Sequence, residues 1–383
     1  MLLYIHFPFC VQKCKYCAFY SQVLVPEMVE IYEQALLQEI DFWARNLGSR
    51  QIESIYLGGG TPSLCSLSFL KQVLEKIHHY FKVPSPIEFT LEANPESCKK
   101  EQVKGWYQLG VNRVSLGIQS FTEENLKLLG RIHSLKESRK AYYLLRQAGF
   151  KNINFDLMFG LPGQSVGKWL EEVKMGVSLR PEHFSCYGFT LEPGTYFAEK
   201  EKDYLWPLEE EVAKMYLYGA EYLESAGYLQ YEISNYARMG YNAQHNVGYW
   251  EGVDFLGLGP SAVSTIGQKR WQNPPNIKQY ALEVEQGFKG LKVERIEGIK
   301  EVNEMVMLSL RTCKGLSLKK FRQKTGLNFT QIFQKSLEVL YNKGLISFRK
   351  GYVRLTRPGL LLSDSIIPQF FLEEGLCPDG DKS

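Results

Sequence analysis

Over its first half the chain alternates between two rhythms. Short apolar runs rich in β-branched and aromatic residues predict strands at Leu3–Phe7, Ser54–Leu57, Ile87–Leu91, Arg113–Leu116, Asn154–Met158 and Phe184–Tyr187. Between them apolar residues recur at three- and four-residue spacing, which predicts helices at Tyr32–Trp43, Leu67–Tyr80, Glu137–Gln147 and Trp169–Ser178. Such βα units in succession imply an α/β fold, a parallel sheet with its helices outside. Periodicity alone does not separate an open doubly wound sheet from a partial barrel.

The rhythm breaks after about Pro193. Pro207–Ala226 reads as one long helix, followed by an aromatic, glycine-rich region from Tyr228 to Gly267. Ile299–Arg311, Ser317–Lys324 and Phe329–Lys343 then predict three helices, followed by a hairpin, Leu345–Phe348 and Tyr352–Leu355, and a last helix from about Pro358. Three helices and a hairpin resemble a winged-helix module. The pattern divides the chain into a core over 1–225, a connecting region over 226–298, a smaller C-terminal domain over 299–376 and a frayed tail over 377–383.

Composition narrows the class. Hydrophobic residues make up 44% and charged residues 23% of the 383, as in ordinary globular proteins. A net charge of +3 does not argue for a polyanion-binding surface, and the basic residues Lys319, Lys320, Arg322, Lys324, Arg349, Lys350 and Arg354 read as solvated faces, so no nucleic-acid partner is expected. Eight cysteines are too sparse for a disulfide scaffold. A reducing, cytoplasmic setting follows. No apolar run reaches the length of a membrane span, and the first residues lack the pattern of a signal peptide. Peripheral membrane attachment through a partner stays open.

The chemistry concentrates in Cys10, Cys14 and Cys17, a CxxxCxxC run. Three thiolates do not complete a structural zinc shell, though a distant His6, Cys65 or Cys98 could supply a fourth ligand. They suit a [4Fe–4S] cubane with one iron left open. Gly58-Gly59-Gly60-Thr61-Pro62 follows the second strand, where absent side chains let backbone approach a ligand. Glu92, Gln119, Arg131 and Asp156 fall on or just after later strands. An acid in the apolar run Phe155–Phe159 needs a partner or a ligand, and an Arg131–Asp156 or Arg131–Glu92 ion pair would also satisfy it. Farther on, His245-Asn246-Val247-Gly248-Tyr249-Trp250 joins one imidazole to two aromatic faces. Taken alone, such a histidine is more often a hydrogen-bonded core residue than an iron ligand.

The stretch from Tyr4 through Cys10, Cys14 and Cys17 to Phe19 resembles the radical S-adenosylmethionine (SAM) superfamily. More closely it resembles the branch of oxygen-independent coproporphyrinogen III oxidases and HemW-type haem chaperones, in motif order from Tyr4 to about Phe371. The resemblance implies a partial (βα)6 TIM-type barrel with a winged-helix-like C-terminal domain. It implies a [4Fe–4S] cluster on Cys10, Cys14 and Cys17 and SAM on the open iron. SAM contacts would come from Tyr4, Tyr16, Gly59, Gly60, Thr61, Glu92, Gln119, Arg131, Asp156 and Thr190. His245-Asn246-x-x-Tyr249-Trp250 matches the HNxxYW motif associated with haem binding in the chaperones, which implies haem contacts from these four residues with His245 on the iron. The oxidases carry a further cysteine two places after the third; here that place is Phe19, and only nine residues precede Cys10. Ala18 departs from the acid that many relatives carry after the third cysteine.

Both features favour a haem chaperone, whose partners would be a recipient haemoprotein and a reductant of flavodoxin or ferredoxin type, with a homodimer left open. No residue is assigned a catalytic role on that reading. The alternative is a coproporphyrinogen III dehydrogenase that makes protoporphyrinogen IX by radical decarboxylation. A radical SAM enzyme with another substrate would leave the His245 motif unexplained.

Overall fold

The structure is a computed structural model, and it describes residues 1–373. The expected tail over 377–383, with the last residues of the C-terminal domain, lies outside the described residues. All six predicted strands form: β1 (Leu2–Phe7), β2 (Ser54–Gly59), β3 (Glu88–Ala93), β4 (Arg113–Gln119), β5 (Ile153–Phe159) and β6 (His183–Gly188). Each pairs in parallel with the next, as Leu2 opposite Ser54 and Phe155 opposite Phe184 illustrate. Parallel neighbours require a crossover, and helices α1 (Pro26–Leu47), α2 (Leu67–Tyr80), α3 (Lys100–Gln108), α4 (Leu135–Ala148) and α5 (Val166–Ser178) supply it. Their ends follow local chemistry. Ser66 caps α2 by accepting from Phe69 N–H, and Ser134 with Glu137 forms a reciprocal capping box on α4.

Successive strand residues face opposite sides of the sheet. The outer face packs an aromatic and aliphatic core against the helices; Phe7, Phe9 and Tyr32 meet edge to face there. The inner face is polar. Tyr187 of β6 lies within electrostatic reach of Glu92 on β3 and Tyr56 on β2, strands that are not its neighbours, so the sheet curves into a partial barrel.

Residues 226–298 do more than connect. Helix α6 (Glu209–Ser225) leads into β7 (Leu229–Gln230) and β8 (Asn235–Ala237), which extend the sheet beyond β6 with antiparallel pairing. The chain then crosses to the opposite flank. There β9 (Phe255–Leu258) lies parallel to β1, and β10 (Val263–Ile266), β11 (Lys269–Gln272) and β12 (Val293–Arg295) continue antiparallel. A short helix, α7 (Gln244–Trp250), makes the crossing beneath the N-terminal ends of the barrel strands. Glu88, the first residue of β3, accepts from the N–H groups of both Gln244 and His245 at 2.9 Å. Gly248 permits the close approach, since a Cβ there would stand 2.7 Å from the Leu2 side chain. Helix α8 (Ile277–Glu285) then packs on α1.

The C-terminal unit holds α9 (Ile299–Leu310), β13 (Leu316–Ser317), α10 (Leu318–Thr325), α11 (Gln334–Asn342), β14 (Ile346–Arg349) and β15 (Tyr352–Leu355). Its three strands form an antiparallel sheet in the order β13-β15-β14. Lys350 and Gly351 both adopt positive φ, the two-residue geometry that matches the twist of a β14–β15 hairpin. The helix expected over Phe329–Lys343 breaks at Phe333, whose ring packs against Phe329 and Phe370.

Candidate functional site: a cysteine loop at the C-terminal ends of the barrel strands

The loop bearing the three cysteines springs from the end of β1 and is held by its backbone. Phe9–Cys10 pairs in parallel with Gln22–Val23, which closes the loop at its base. At its far side Lys15 N–H donates to Leu129 O at 3.1 Å, and Gln12 Nε2 donates to Gly130 O at 3.2 Å. Cys10 is buried, whereas Cys14 and Cys17 are half-buried. Burial pushes the Cys10 thiol up, and pushes Cys17 up to about 11. Among the described residues no three His, Cys, Asp or Glu side chains converge as the ligands of one metal ion would. A cubane takes each thiolate at a different iron, so three thiols spread over one loop fit it better than they fit a single ion. The alternative zinc ligands are committed elsewhere: His6 meets Tyr4 Oη and Tyr20 O at 3.0 and 2.8 Å, and Cys65 and Cys98 are buried apart.

The glycine turn after β2 packs directly on this loop. Gly60 and Thr61 donate their N–H groups to the carbonyls of Phe7 and Phe9 at 2.7 and 2.8 Å. A Cβ on Gly60 would lie 2.7 Å from Phe9 O, and Gly59 has φ +113° with the His6 ring 2.7 Å from where its Cβ would be. With two amides spent on the loop, the turn offers carbonyl oxygen, which suits an ammonium group.

Glu92 accepts from Tyr56 Oη at 2.8 Å and Gly59 N–H at 3.1 Å. Burial raises its pKa to about 7, and the nearby Asp156 adds to this, while the Tyr56 hydrogen bond opposes it. Asp156 accepts from Ser115 and Asn154 at 2.9 and 2.8 Å and is also raised by burial. Gln119 ends β4 in the left-handed region, φ 66°, at an irregularity in the β4–β5 register. Non-glycine residues hold that conformation only under surrounding constraint, and bulges of this kind often re-aim a side chain beside a site. Tyr4 sits on β1 with its ring 6.1 Å from that of Tyr56. Tyr16 packs in a satellite cluster with Leu129, Met158, Leu161 and Phe197. Thr190 follows the end of β6. All ten expected SAM contacts therefore belong to the cysteine-loop end of the barrel or its lumen.

Arg131 pairs with neither Glu92 nor Asp156 among the described residues. Its guanidinium donates to Cys14 Sγ at 3.3 Å, Asn94 Oδ1 at 2.6 Å and Gly117 O at 2.9 Å. Asn94 in turn donates to Thr61 Oγ1 at 3.2 Å, so one amide ties the arginine to the glycine turn. Sequence reasoning missed Asn94, although it stands two residues after Glu92 and so shares its face. Of the aromatic residues near the cysteines, Phe7 and Phe9 are core, and Phe19 is 70% exposed.

The chain matches the radical SAM superfamily over residues 4–175 and the HemN C-terminal domain over residues 297–362. It is 36% identical to the heme chaperone HemW of Bacillus subtilis, covering 97% of this chain and 99% of that protein. Against the heme chaperone HemW of Escherichia coli identity is 34%, over 97% and 98%. The chain belongs to the HemW family. Among solved structures, coproporphyrinogen III oxidase (HemN) from Escherichia coli, described as a radical SAM enzyme, superposes with a TM-score of 0.83 at 25% identity, covering 97% of this chain and 90% of that one.

For a HemW-family chain the placement of the HNxxYW residues is informative. They occupy α7, at the opposite end of the barrel from the cysteines. His245 is 1% exposed; its Nδ1 lies 2.7 Å from Ser54 Oγ, and its ring packs 5.0 Å from that of Tyr56. Its Nε2 is buried without a partner among the described residues. Burial, helped by the nearby Arg113 charge, lowers its pKa to about 3, so the imidazole is neutral. Tyr249 and Trp250, on the other hand, line a cavity of about 940 Å³ between the base of the barrel and the C-terminal unit, and His245 does not reach its wall. Asn246 is half-buried on the same helix.

One prediction follows from Arg131. A cation donating to a cluster thiolate disperses its negative charge and eases reduction. With the reconstituted cluster, Arg131→Met is expected to lower the reduction potential on the order of tens of millivolts. An unchanged potential in an anaerobic redox titration would separate Arg131 from the cluster.

Proposed function

We propose that this chain is a haem chaperone that binds a [4Fe–4S] cluster, SAM and haem, and passes haem to a recipient haemoprotein. The observation that carries the reading is near-complete alignment with HemW chaperones at 36% and 34% identity, against 25% for the oxidase HemN. Phe19 in place of a fourth cysteine supports the same choice.

Cys10, Cys14 and Cys17 would hold the cluster, which when bound supplies one-electron chemistry toward SAM. The protein's own part is to orient and enclose. The Gly58–Thr61 turn would receive the SAM ammonium through carbonyl oxygen, and Glu92 and Asp156 suit ribose hydroxyls or the sulfonium side. Gln119, Tyr4, Tyr16 and Thr190 complete the proposed SAM set, and Arg131 fixes the loop. Of the haem motif on α7, Tyr249 and Trp250 line the cavity at the base of the barrel, and His245 and Asn246 stand on the same helix. A small electron-transfer protein is the natural reductant. No helix among the described residues is long and apolar enough to cross a membrane. A cytoplasmic setting is part of the proposal.

The test is anaerobic incubation of cluster-reconstituted protein with SAM, reductant and coproporphyrinogen III, beside a haem titration of the same preparation. Saturable haem binding is expected, with no protoporphyrinogen above a Cys14→Ala control. Turnover above that control would make the chain a dehydrogenase instead.

A further inference from the structure

The haem-chaperone reading leaves open where a tetrapyrrole would sit, and the geometry of α7 divides the expected haem residues between two surfaces. We propose that the tetrapyrrole occupies the 940 Å³ cavity at the base of the barrel, with its iron facing Tyr249 or Cys313 and its carboxylates toward Lys320. On this proposal His245 stands behind α7 as a positioning residue.

The inference rests on the haem-chaperone reading and on four observations. The cavity volume lies within the range of about 300 to 1,000 Å³ usual for small-molecule and cofactor sites. Its walls suit a broad apolar disc: Tyr249 and Trp250 come from α7, Met305 and Leu308 from α9. Aromatic and thioether surfaces are those a flat macrocycle packs against.

Two residues of the same walls carry groups of a kind that binds haem iron. The Tyr249 hydroxyl makes no hydrogen bond among the described residues, although its ring is fixed edge-on by His245 at 4.8 Å and Phe255 at 4.7 Å. The Cys313 thiol is free and half-buried. Phenolate and thiolate are both haem-iron ligands.

Charge provides the orientation. Of the basic groups on the wall, Lys324, Lys314 and Arg270 already meet Glu301, Glu251 and Glu304. Lys320 lines the cavity, is exposed and has no carboxylate partner among the described residues. An ammonium so placed is available to an anionic edge.

Finally, His245 points away. Its hydrogen bond to Ser54 and its contact with Tyr56 bind α7 to β2, and its N–H is held by Glu88 of β3. For His245 to ligate iron in the cavity, α7 would have to turn about its axis and break all three. As a clamp it holds Tyr249, one turn farther along, at the cavity wall.

The test is a haem titration of the full chain, followed by absorption spectroscopy of the saturated complex. Leu308→Trp, which fills the cavity from α9, is expected to weaken haem binding about tenfold or more. Lys320→Glu, a surface change, is expected to weaken it to a smaller degree. Tyr249→Phe or Cys313→Ser should alter the spectrum of the bound haem, and His245→Ala should lower affinity with the spectrum unchanged. Parental affinity in a Leu308→Trp variant that unfolds like the parent overturns the assignment. If that variant misfolds, parental affinity in Lys320→Glu overturns it instead. A spectrum changed only by His245→Ala likewise places the iron elsewhere. A parent chain that binds no haem refutes the haem-chaperone reading itself, which none of the variant outcomes does.

Discussion

Replacing Cys14 with alanine is expected to give a chain that folds like the parent yet retains only residual iron after anaerobic reconstitution. The two halves of that result have separate causes. The loop around Cys14 is held by main-chain bonds, Lys15 to Leu129 and Cys17 to Cys14, together with the Gln12 amide on Gly130, and none of them uses the thiol. Among the described residues the thiol's hydrogen bond is the one it accepts from Arg131, which keeps Asn94 and Gly117 as partners. The substitution should therefore shift stability by no more than about 0.5 kcal/mol, as at other sites away from the core. The cluster, by contrast, would lose one of its three proposed protein ligands. Iron content after reconstitution checks one half, and thermal unfolding of the cluster-free parent and variant checks the other. Parental iron content would remove Cys14 from the ligand set. Cys98→Ala makes the converse control, a buried thiol away from the loop whose loss should spare the iron.

The second large effect is expected at Glu39, a fully buried carboxylate on α1. It accepts from Asn273 Nδ2 at 2.7 Å, Gly259 N–H at 2.7 Å, Tyr280 Oη at 2.6 Å and Trp43 Nε1 at 3.3 Å. Four donors from four parts of the chain thus converge on one acceptor, tying α8 and the β9–β10 turn to the barrel. Glu39→Gln puts an N–H₂ group, which carries two hydrogens and accepts nothing, before two of those donors, where the protonated carboxyl has one hydrogen and keeps an oxygen that accepts. Leaving buried donors unmet should cost roughly 2–4 kcal/mol in denaturant unfolding. Burial raises the Glu39 pKa from its ordinary 4.5 to about 7, against the pull of its hydrogen bonds. The native state therefore holds the extra proton. The group's stabilisation is fully present below pH 4.5 and fades as pH rises through about 7. The gap between parent and Glu39→Gln should consequently narrow from pH 5 to pH 8, by roughly 1.4 kcal/mol for each pKa unit crossed. A gap that widened over the same interval would contradict the buried, proton-holding state.

Much of the barrel is legible in the sequence because each strand carries its own apolar run and each crossover helix its own periodicity. The strand boundaries shifted by one to three residues, the most at Arg113–Gln119, which runs three residues past the predicted Leu116 through an irregularity in its register with β5. The site was legible where residues are close in sequence, as with the cysteines and the glycine turn. What escaped depends on long-range placement. Arg131 could be paired on paper with either acid, but the fold turns it toward Cys14, and only the packing of the 129–131 corner on the loop decides that. The polar lumen was half visible. Thr90 and Glu92, Arg113 and Ser115, and Asn154 and Asp156 repeat at alternate positions, a period-two signal that marks one face of a strand. The flanking strands escaped because Leu229–Gln230 and Asn235–Ala237 are too short to announce themselves. The position of His245 escaped for a different reason: a motif specifies residue types but not which side of a helix meets which neighbour.

The crossing beneath the barrel also sets an order of events for the growing chain. In the finished sheet β1 is interior, flanked by β2 and by β9. Its partner on one side, Phe255–Leu258, is encoded about 250 residues after Leu2. While a ribosome is still making the intervening chain, β1 is therefore an edge strand, with unpaired amides and an apolar sequence, LLYIHF. Six parallel units could assemble in that interval, yet their first strand would remain open to pairing with another chain. The segment that carries α7 under the barrel thus also serves as its late closure, sealing an aggregation-prone edge only after most of the protein has been synthesised.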